Sequence, residues 1–239
     1  YSKIWYRVAA LVILSFGIGL LVYNFLPKGE TVKLIAVRST DAVLSDTLPD
    51  QSVITLNKNS QITYNSTFEK DSRTVTLKGE AFFNVTPDKN KPFIIHVNDI
   101  TVKVLGTSFN IRTKGTVTEV IVETGVVQVI KNKKTVLIQP KEKVLLQQED
   151  TILAKERVKD ELYNYYRSKE FVCDNTPLWK LVEVLNEAYA SNITIERKSL
   201  RALPLTTTFN NESLETILQI ISVTFSIEIE RRGDQILLK

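Results

Sequence analysis

A single N-terminal membrane-spanning helix, an all-β sandwich or barrel-like domain and a small C-terminal α+β domain form the architecture that this 239-residue sequence predicts. Three observations lead there. An uninterrupted apolar run opens the chain, period-two alternation fills its middle, and helical periodicity enters its last third. The boundaries read as an anchor over 1–27, a β-rich domain over 31–150, a helical connector over 151–169 and the α+β domain over 170–239.

The anchor comes first. From Ile4 to Phe25 the chain reads IWYRVAALVILSFGIGLLVYNF, which as a helix spans about 33 Å and matches a hydrocarbon core of roughly 30 Å. Trp5 and Tyr6 stand at one edge and Tyr23 at the other, where amphipathic rings favour the headgroup layer. A signal peptide would be shorter in its apolar region and would be followed by a small-x-small cleavage site, which Asn24-Phe25-Leu26-Pro27 does not offer. Lys3 and Arg7 before the run, against Lys28, Lys33 and Glu30 after it, place the N-terminus in the cytoplasm and the rest in the periplasm.

Alternation then takes over. Val75 and Leu77; Ala81, Phe83 and Val85; Phe93, Ile95 and Val97; and Ile100, Val102 and Val104 each alternate with polar neighbours. Alternate strand side chains point to opposite faces, so each set marks a core-facing side. Turns are signalled by Pro87-Asp88, Asn98-Asp99, Lys114-Gly115, Thr124-Gly125 and Asn132-Lys133. Short strands at this spacing predict a sandwich or barrel.

Val158, Leu162 and Tyr165 then recur at helical spacing in a charged stretch, which predicts the helical connector. Asn175-Thr176-Pro177 opens a helix with Pro177 at its first position, its apolar stripe running through Leu178, Leu181, Val182, Leu185, Ala188 and Tyr189. A strand is expected over Ile193–Glu196. A second helix is expected from Asn211, with Glu212 in its first turn and Leu214, Ile217, Leu218, Ile221 and Phe225 inward. Two strands, Ile227–Glu230 and Gln235–Leu238, close the chain. Leu205 to Phe209 reads as an edge strand, a template for a partner strand, with Leu205, Thr207 and Phe209 as candidate contacts together with the adjoining helix.

Composition narrows the chemistry. The net charge of +4 is spread without a basic stripe, which argues against a nucleic-acid face. One cysteine, Cys173, and one histidine, His96, exclude an internal disulfide and a cysteine-based zinc cluster, so no metal or cofactor is expected. His96 reads as a surface residue and Cys173 as a small buried hydrophobe. Asp41, Asp46, Asp50, Glu80 and Glu123 are candidate carboxylates, but no spacing pairs two of them for catalysis. The chain starts at Tyr1 and contains no methionine, which reads as part of a longer polypeptide.

One dipeptide could react. In Val104-Leu105-Gly106-Thr107-Ser108-Phe109-Asn110, the Thr107 hydroxyl could attack the preceding carbonyl and turn the peptide bond into an ester that water cleaves. Gly106 permits the backbone geometry this requires. The same residues equally suit a tight bend between two strands. Catalysis of any other kind has no motif here.

Several runs carry a resemblance. Leu48-Pro49-Asp50 through Leu56-Asn57 with Ser60 and Tyr64, Arg73 through Val85, Lys91-Pro92-Phe93, Val102 through Asn110, Glu123-Thr124-Gly125-Val126-Val127 and Gln139-Pro140 resemble, in order, the periplasmic domain of FecR-type anti-sigma regulators. Asn175 to Leu178 and Thr208-Phe209 with Glu212-Ser213-Leu214 resemble the STN-like domain that ends many of them, notably in Bacteroidetes. The departures are Gln51 and Lys141 in place of turn glycines, and Tyr165-Tyr166 where relatives place tryptophan. The resemblance implies an inner-membrane, single-pass protein, not an enzyme. Its periplasmic part would sense the signalling domain of a SusC/FecA-like TonB-dependent outer-membrane transporter and control an extracytoplasmic-function sigma factor. That factor would be held through a cytoplasmic domain absent from these residues. It also implies self-cleavage at Gly106-Thr107 as an alternative activity. A periplasmic sensor that binds a glycan or siderophore directly is the remaining alternative; it would need a deep, aromatic-lined pocket, whereas Phe82 and Phe83 alternate to opposite faces.

Overall fold

The computed structural model of the protein describes residues 2–25 and 32–239, and within the first helix the side chains of residues 5–9 and 11–21. The side chains of Lys3, Ile4, Tyr23, Asn24 and Phe25, and Leu26, Pro27, Lys28 and Glu30 altogether, all used above to read the anchor and its orientation, lie outside that description. The chain divides into two compact units, Tyr1–Lys33 and Leu34–Lys239.

The first unit holds α1, Ser2–Phe25, where the sequence places the anchor. Its apolar side chains Leu11, Ile13, Leu14 and Phe16 are exposed. Among the described residues, however, no helix is long and apolar enough to cross a membrane.

The second unit begins with a two-sheet domain. Its strands are β1 Leu34–Arg38, β2 Leu44–Thr47, β3 Val53–Leu56, β4 Gln61–Asn65, β5 Arg73–Lys78, β6 Glu80–Asn84 and β7 Phe93–Val97. They continue with β8 Ile100–Val104, β9 Ser108–Lys114, β10 Val117–Thr124, β11 Val127–Lys131, β12 Lys134–Ile138, β13 Glu142–Leu146 and β14 Lys155–Arg157. One sheet runs β1-β4-β5-β7-β8-β11-β12 and the other β14-β13-β10-β9-β6-β3-β2. The chain therefore crosses between sheets after nearly every hairpin. Only β6 crosses alone and returns, so β7 enters beside β5 in the same direction, the one parallel pair of the two sheets.

The period-two sets make the core between the sheets. Val75, Leu77, Phe83, Phe93, Ile95, Val102, Phe109 and Ile111 are all buried in one cluster, with the Phe83 and Phe109 rings stacked at 5.2 Å. The turn signals lie where expected. Asn98 takes φ 48° between β7 and β8, and Asn132 and Lys133 take 49° and 64° between β11 and β12, the left-handed pair that a two-residue hairpin requires. Gln51 and Lys141 adopt φ 68° and 65°. Both turns thus keep the glycine-like conformation without glycine.

The connector is not the helix that periodicity predicts. Residues 155–157 pair with β13 as strand β14, extending the second sheet, and Lys155 reaches Glu142 at 2.8 Å across that pair. A 3₁₀ turn, Leu162–Asn164, and a single helical turn, α2 Tyr165–Ser168, follow. Asp160 explains the break: its carboxylate accepts from the backbone of Leu162 and from Lys180 and Thr176, bonds that compete with a continuous helix. Leu162, Tyr165 and Tyr166 belong to the core of the domain that follows.

That domain comprises β15 Glu170–Pro177, α3 Leu178–Tyr189, β16 Asn192–Ile195, β17 Pro204–Asn210, α4 Leu214–Phe225, β18 Ile229–Arg232 and β19 Gln235–Leu238. β15 and β17 form one antiparallel pair; β16, β19 and β18 form a second small sheet in which β16 and β19 run parallel. Two helix starts shift from expectation. Pro177 is the extended residue before α3 rather than its first turn, because Asn175-Thr176-Pro177 completes β15. α4 starts at Leu214, not Asn211: Ser213 is the cap, its hydroxyl accepting from Thr216 N, and Glu215 is the acid of the first turn. The predicted apolar stripes of both helices face the core, Leu178, Leu181 and Leu185 from α3 and Ile217, Leu218 and Ile221 from α4.

Candidate functional site

Strand β6 sends Ala81 and Phe83 inward, so Glu80 and Phe82 face away from the sandwich core. Opposite them on β9 are Arg112 and Asn110. In an open sandwich this face would meet water. Here it is covered by residues 160–168 and by α3, and Phe82 packs against the second core.

The contact is a polar junction around one carboxylate. Glu80 is 6% exposed; it accepts from Asn57 Nδ2 and Asn110 Nδ2, both at 2.9 Å, with Arg112 Nε at 3.9 Å. The second domain completes the shell. Tyr166 donates to Asn110 Oδ1 at 2.7 Å, the Tyr165 hydroxyl lies 3.5 Å from Asn57 Nδ2, and Glu187 of α3 pairs with Arg112. At the rim, Lys114 pairs with Glu183 and Glu187, and Lys58 reaches the Ala188 carbonyl at 3.2 Å. A second contact lies on β10, where Glu123 accepts from Tyr163 at 3.2 Å and from Arg167, whose guanidinium sits 3.4 Å over the Phe82 ring.

Burial governs the electrostatics. It raises the Glu80 carboxyl above the ordinary value of 4.5, an effect that Arg112 and the two amide donors oppose without cancelling. Burial also works against the Arg112 charge, but the carboxylates of Glu80 and Glu187 outweigh it and hold the guanidinium above its usual range. The Tyr166 and Tyr163 hydroxyls are pushed up chiefly by burial, helped by Glu80 and by Glu123 respectively. They are neutral donors in this junction.

The Gly106–Thr107 turn carries the chain from β8 in one sheet to β9 in the other. Gly106 has φ 151°, and a Cβ there would meet Pro87 Cα at 2.5 Å, so the position excludes a side chain. The turn is pinned by Val85 N to Thr107 O at 2.9 Å and Asp88 N to Leu105 O at 2.7 Å. Thr107 is 5% exposed, and its Oγ1 is buried without a hydrogen-bond partner. An unpaired buried hydroxyl is costly, which sets this one apart from a threonine that merely fills space.

The other candidates separate. Leu205 and Phe209 are buried, so only the main-chain edge of β17 and its outward Thr206 and Thr208 remain available to a partner, with Thr207 half-buried. β17 pairs on one side with β15 alone. His96 is exposed on β7 with Nδ1 3.2 Å from Thr101 Oγ1. Cys173 is buried in β15 and burial pushes its thiol up to about 12, as suits a small hydrophobe. Asp50 pairs with buried Arg73 at 2.7 Å, Asp46 accepts from Tyr64, and Asp41 is exposed. Sequence reasoning missed Arg112, Tyr163, Tyr166, Arg167, Glu183 and Glu187. The i,i+4 acids Glu183 and Glu187 on one helix face were the readable signal.

Residues 36–128 match the FecR protein family, and residues 170–238 match the family of the FecR C-terminal domain. The chain belongs to the FecR family. It is a FecR-type anti-sigma factor, and solved structures agree. Two crystal structures of candidate anti-sigma factors from Parabacteroides distasonis share 26% and 27% identity with this FecR protein, at TM-scores of 0.72 and 0.71. Each match covers 86% of this chain and 98% of the other. No curated protein sequence matches it. The two family matches fall on the sandwich and on the domain docked against it, and the junction lies between them.

Replacing Glu80 tests that junction. E80A leaves the amides of Asn57 and Asn110 without their acceptor and is expected to cost roughly 1–3 kcal/mol in urea unfolding. A carboxyl raised in the folded state stabilises fully below its unfolded value of 4.5 and loses that contribution as pH rises through the folded value. The stability of the wild type relative to E80Q should therefore fall with rising pH across that window. A constant difference would show that Glu80 is not perturbed.

Proposed function

We propose that this FecR protein is the sensing half of an anti-sigma regulator, held at the inner membrane by α1, N-terminus cytoplasmic, with residues 34–239 in the periplasm. A TonB-dependent outer-membrane transporter supplies the signal through its signalling domain, and the output is control of an extracytoplasmic-function sigma factor. The observation that carries this reading is the FecR sandwich and FecR C-terminal domain folded as one unit, with the β17 edge open. A strand offered by a partner adds main-chain hydrogen bonds to such an edge, and α4 lies next to it in sequence with Val223 exposed.

Binding of the full chain to the signalling domain of a SusC/FecA-like TonB-dependent transporter tests the reading. T208K places a charge on the outward side of the edge and is expected to weaken binding about tenfold, as a like-for-like edge charge discourages strand addition. Undiminished affinity would move the contact off β17. The anchor rests on sequence: Val8 to Phe25 contains no charged residue. The protein is expected to remain with bacterial membranes after alkaline extraction. Release into the supernatant would remove the anchor from the reading.

A second reading is favoured by the unpartnered Thr107 hydroxyl and the side-chain-free Gly106. Thr107 Oγ1 adds to the Gly106 carbonyl carbon, its proton passes to the Thr107 nitrogen, and the C–N bond breaks to leave an ester and a free amine. Water then hydrolyses the ester to a Gly106 carboxylate. T107A should abolish the two fragments on a gel and T107S should retain them; unchanged fragmentation in T107A would reject the mechanism. Direct ligand sensing gains less support. The rings of Phe83, Phe93 and Phe109 pack on one another in the core, and a cleft of about 800 Å³ beside residues 158–168 is lined by charged Glu123, Lys141, Asp160 and Arg167 with Tyr163 as its one ring.

A further inference from the structure

The segment that docks the second domain grips the same strand end that closes the Gly106–Thr107 turn. β10 and β9 pair in register up to Val122 with Phe109 and resume at Thr124 with Ser108, which leaves Glu123 as the extra residue of a bulge. A bulge re-aims its side chain, and this one points Glu123 at Tyr163 and Arg167. The next two residues touch the turn. Thr124 Oγ1 accepts from Ser108 N at 3.0 Å. A Cβ on Gly125 would meet Thr107 Cγ2 at 2.5 Å and the Gly106 carbonyl oxygen at 3.1 Å, so the Thr107 methyl occupies space that only glycine leaves. Arg167 is fixed in turn by the Phe82 ring on β6, two residues before Asn84, which accepts from Ser108 Oγ at 3.1 Å. The strands on both sides of Ser108, β6 and β10, are thus tied to one guanidinium.

We propose that Arg167 and Tyr163 are positioning residues for the Thr107 hydroxyl. By holding Glu123 they fix the 123–125 bulge against the turn, so that cleavage at Gly106–Thr107 depends on the docked C-terminal domain. The proposal rests on the self-processing reading above. The bond made and the bond broken both lie within the turn, and water is the only co-reactant. The device converts a docking event about the β6–β10 face into a change of hydroxyl geometry, where a misplacement of about 1 Å can change a rate by two orders of magnitude.

The test follows fragment formation in the full chain by mass spectrometry, for wild type, R167A, E123Q and the exchanged pair E123R/R167E, each confirmed folded by thermal melting. R167A and E123Q are expected to slow cleavage about tenfold and to speed hydrogen exchange at the Ser108 amide, and the exchanged pair, which restores the ion pair but not the contact with Phe82, should recover part of the rate. A general loss of stability would lower the melting temperature and speed exchange across the whole sandwich, whereas the positioning role confines the faster exchange to the Ser108 amide and its neighbours at an unchanged melting temperature. Normal cleavage in folded R167A and E123Q overturns the positioning role and leaves self-processing standing. No fragments from the wild type overturn self-processing and the positioning role with it.

Discussion

Glu80 is a carboxylate placed where water does not reach, and much of the second unit is arranged around satisfying it. The side chain faces outward from β6 because its neighbours Ala81 and Phe83 must face inward. A sandwich alone would leave it solvated. Covering it with the C-terminal domain removes that solvation, and the loss is offset only because Asn57, Asn110 and Arg112 supply donors from the sandwich itself. Tyr166 and Glu187 then use the capacity left on Asn110 and Arg112. The FecR domain carries the acceptor and its first donors; the FecR C-terminal domain finishes the shell.

This makes the contact between the domains unlike the two cores it joins. Each core is aliphatic and aromatic, whereas the contact is built of hydroxyls, amides and ion pairs around the single exposed-face ring of Phe82. Contacts of this composition resemble transient interfaces, which exchange more readily than a hydrophobic core. The rim pairs contribute little: Lys114 is 62% exposed, and such pairs are worth at most about 1 kcal/mol. The energetic weight falls on Glu80 and on the Arg167–Glu123–Phe82 cluster. A regulator that must register a partner at one end has a physical reason to place polar, breakable contacts between its sensing domain and the rest.

Legibility in the sequence followed local physics. The strands from β5 to β8 were readable because burial on one face forces alternation, and the hairpin turns because Asn98 and Asn132 tolerate left-handed backbone. The helix stripes of α3 and α4 were readable for the same kind of reason. The helix starts were displaced by one residue for α3 and three for α4 because local bonds compete: Pro177 finishes a strand, and Ser213 caps α4 two residues beyond the expected start. Residues 151–169 were misread as one helix because Asp160 redirects the backbone through bonds to Lys180 and Thr176, partners that no local window contains. Gly106 and Thr107 stood out as a pair from sequence, yet nothing there said whether the hydroxyl would find a partner.

By itself the sequence determined the order of an apolar opening segment, a period-two β-domain and a helix-and-strand domain, along with the apolar faces of β5 to β8, α3 and α4. Those properties depend on neighbours a few positions apart and survive in any sufficiently local reading. Only the tertiary structure decided that Glu80 is buried, that Leu205 and Phe209 turn inward, and that Glu123 is bulged toward Arg167 while Gly125 packs on Thr107. Each of these joins residues dozens of positions apart, or depends on which sheet face a second domain covers. Periodicity specifies which side of a strand is apolar; it carries no information about what lies against the other side.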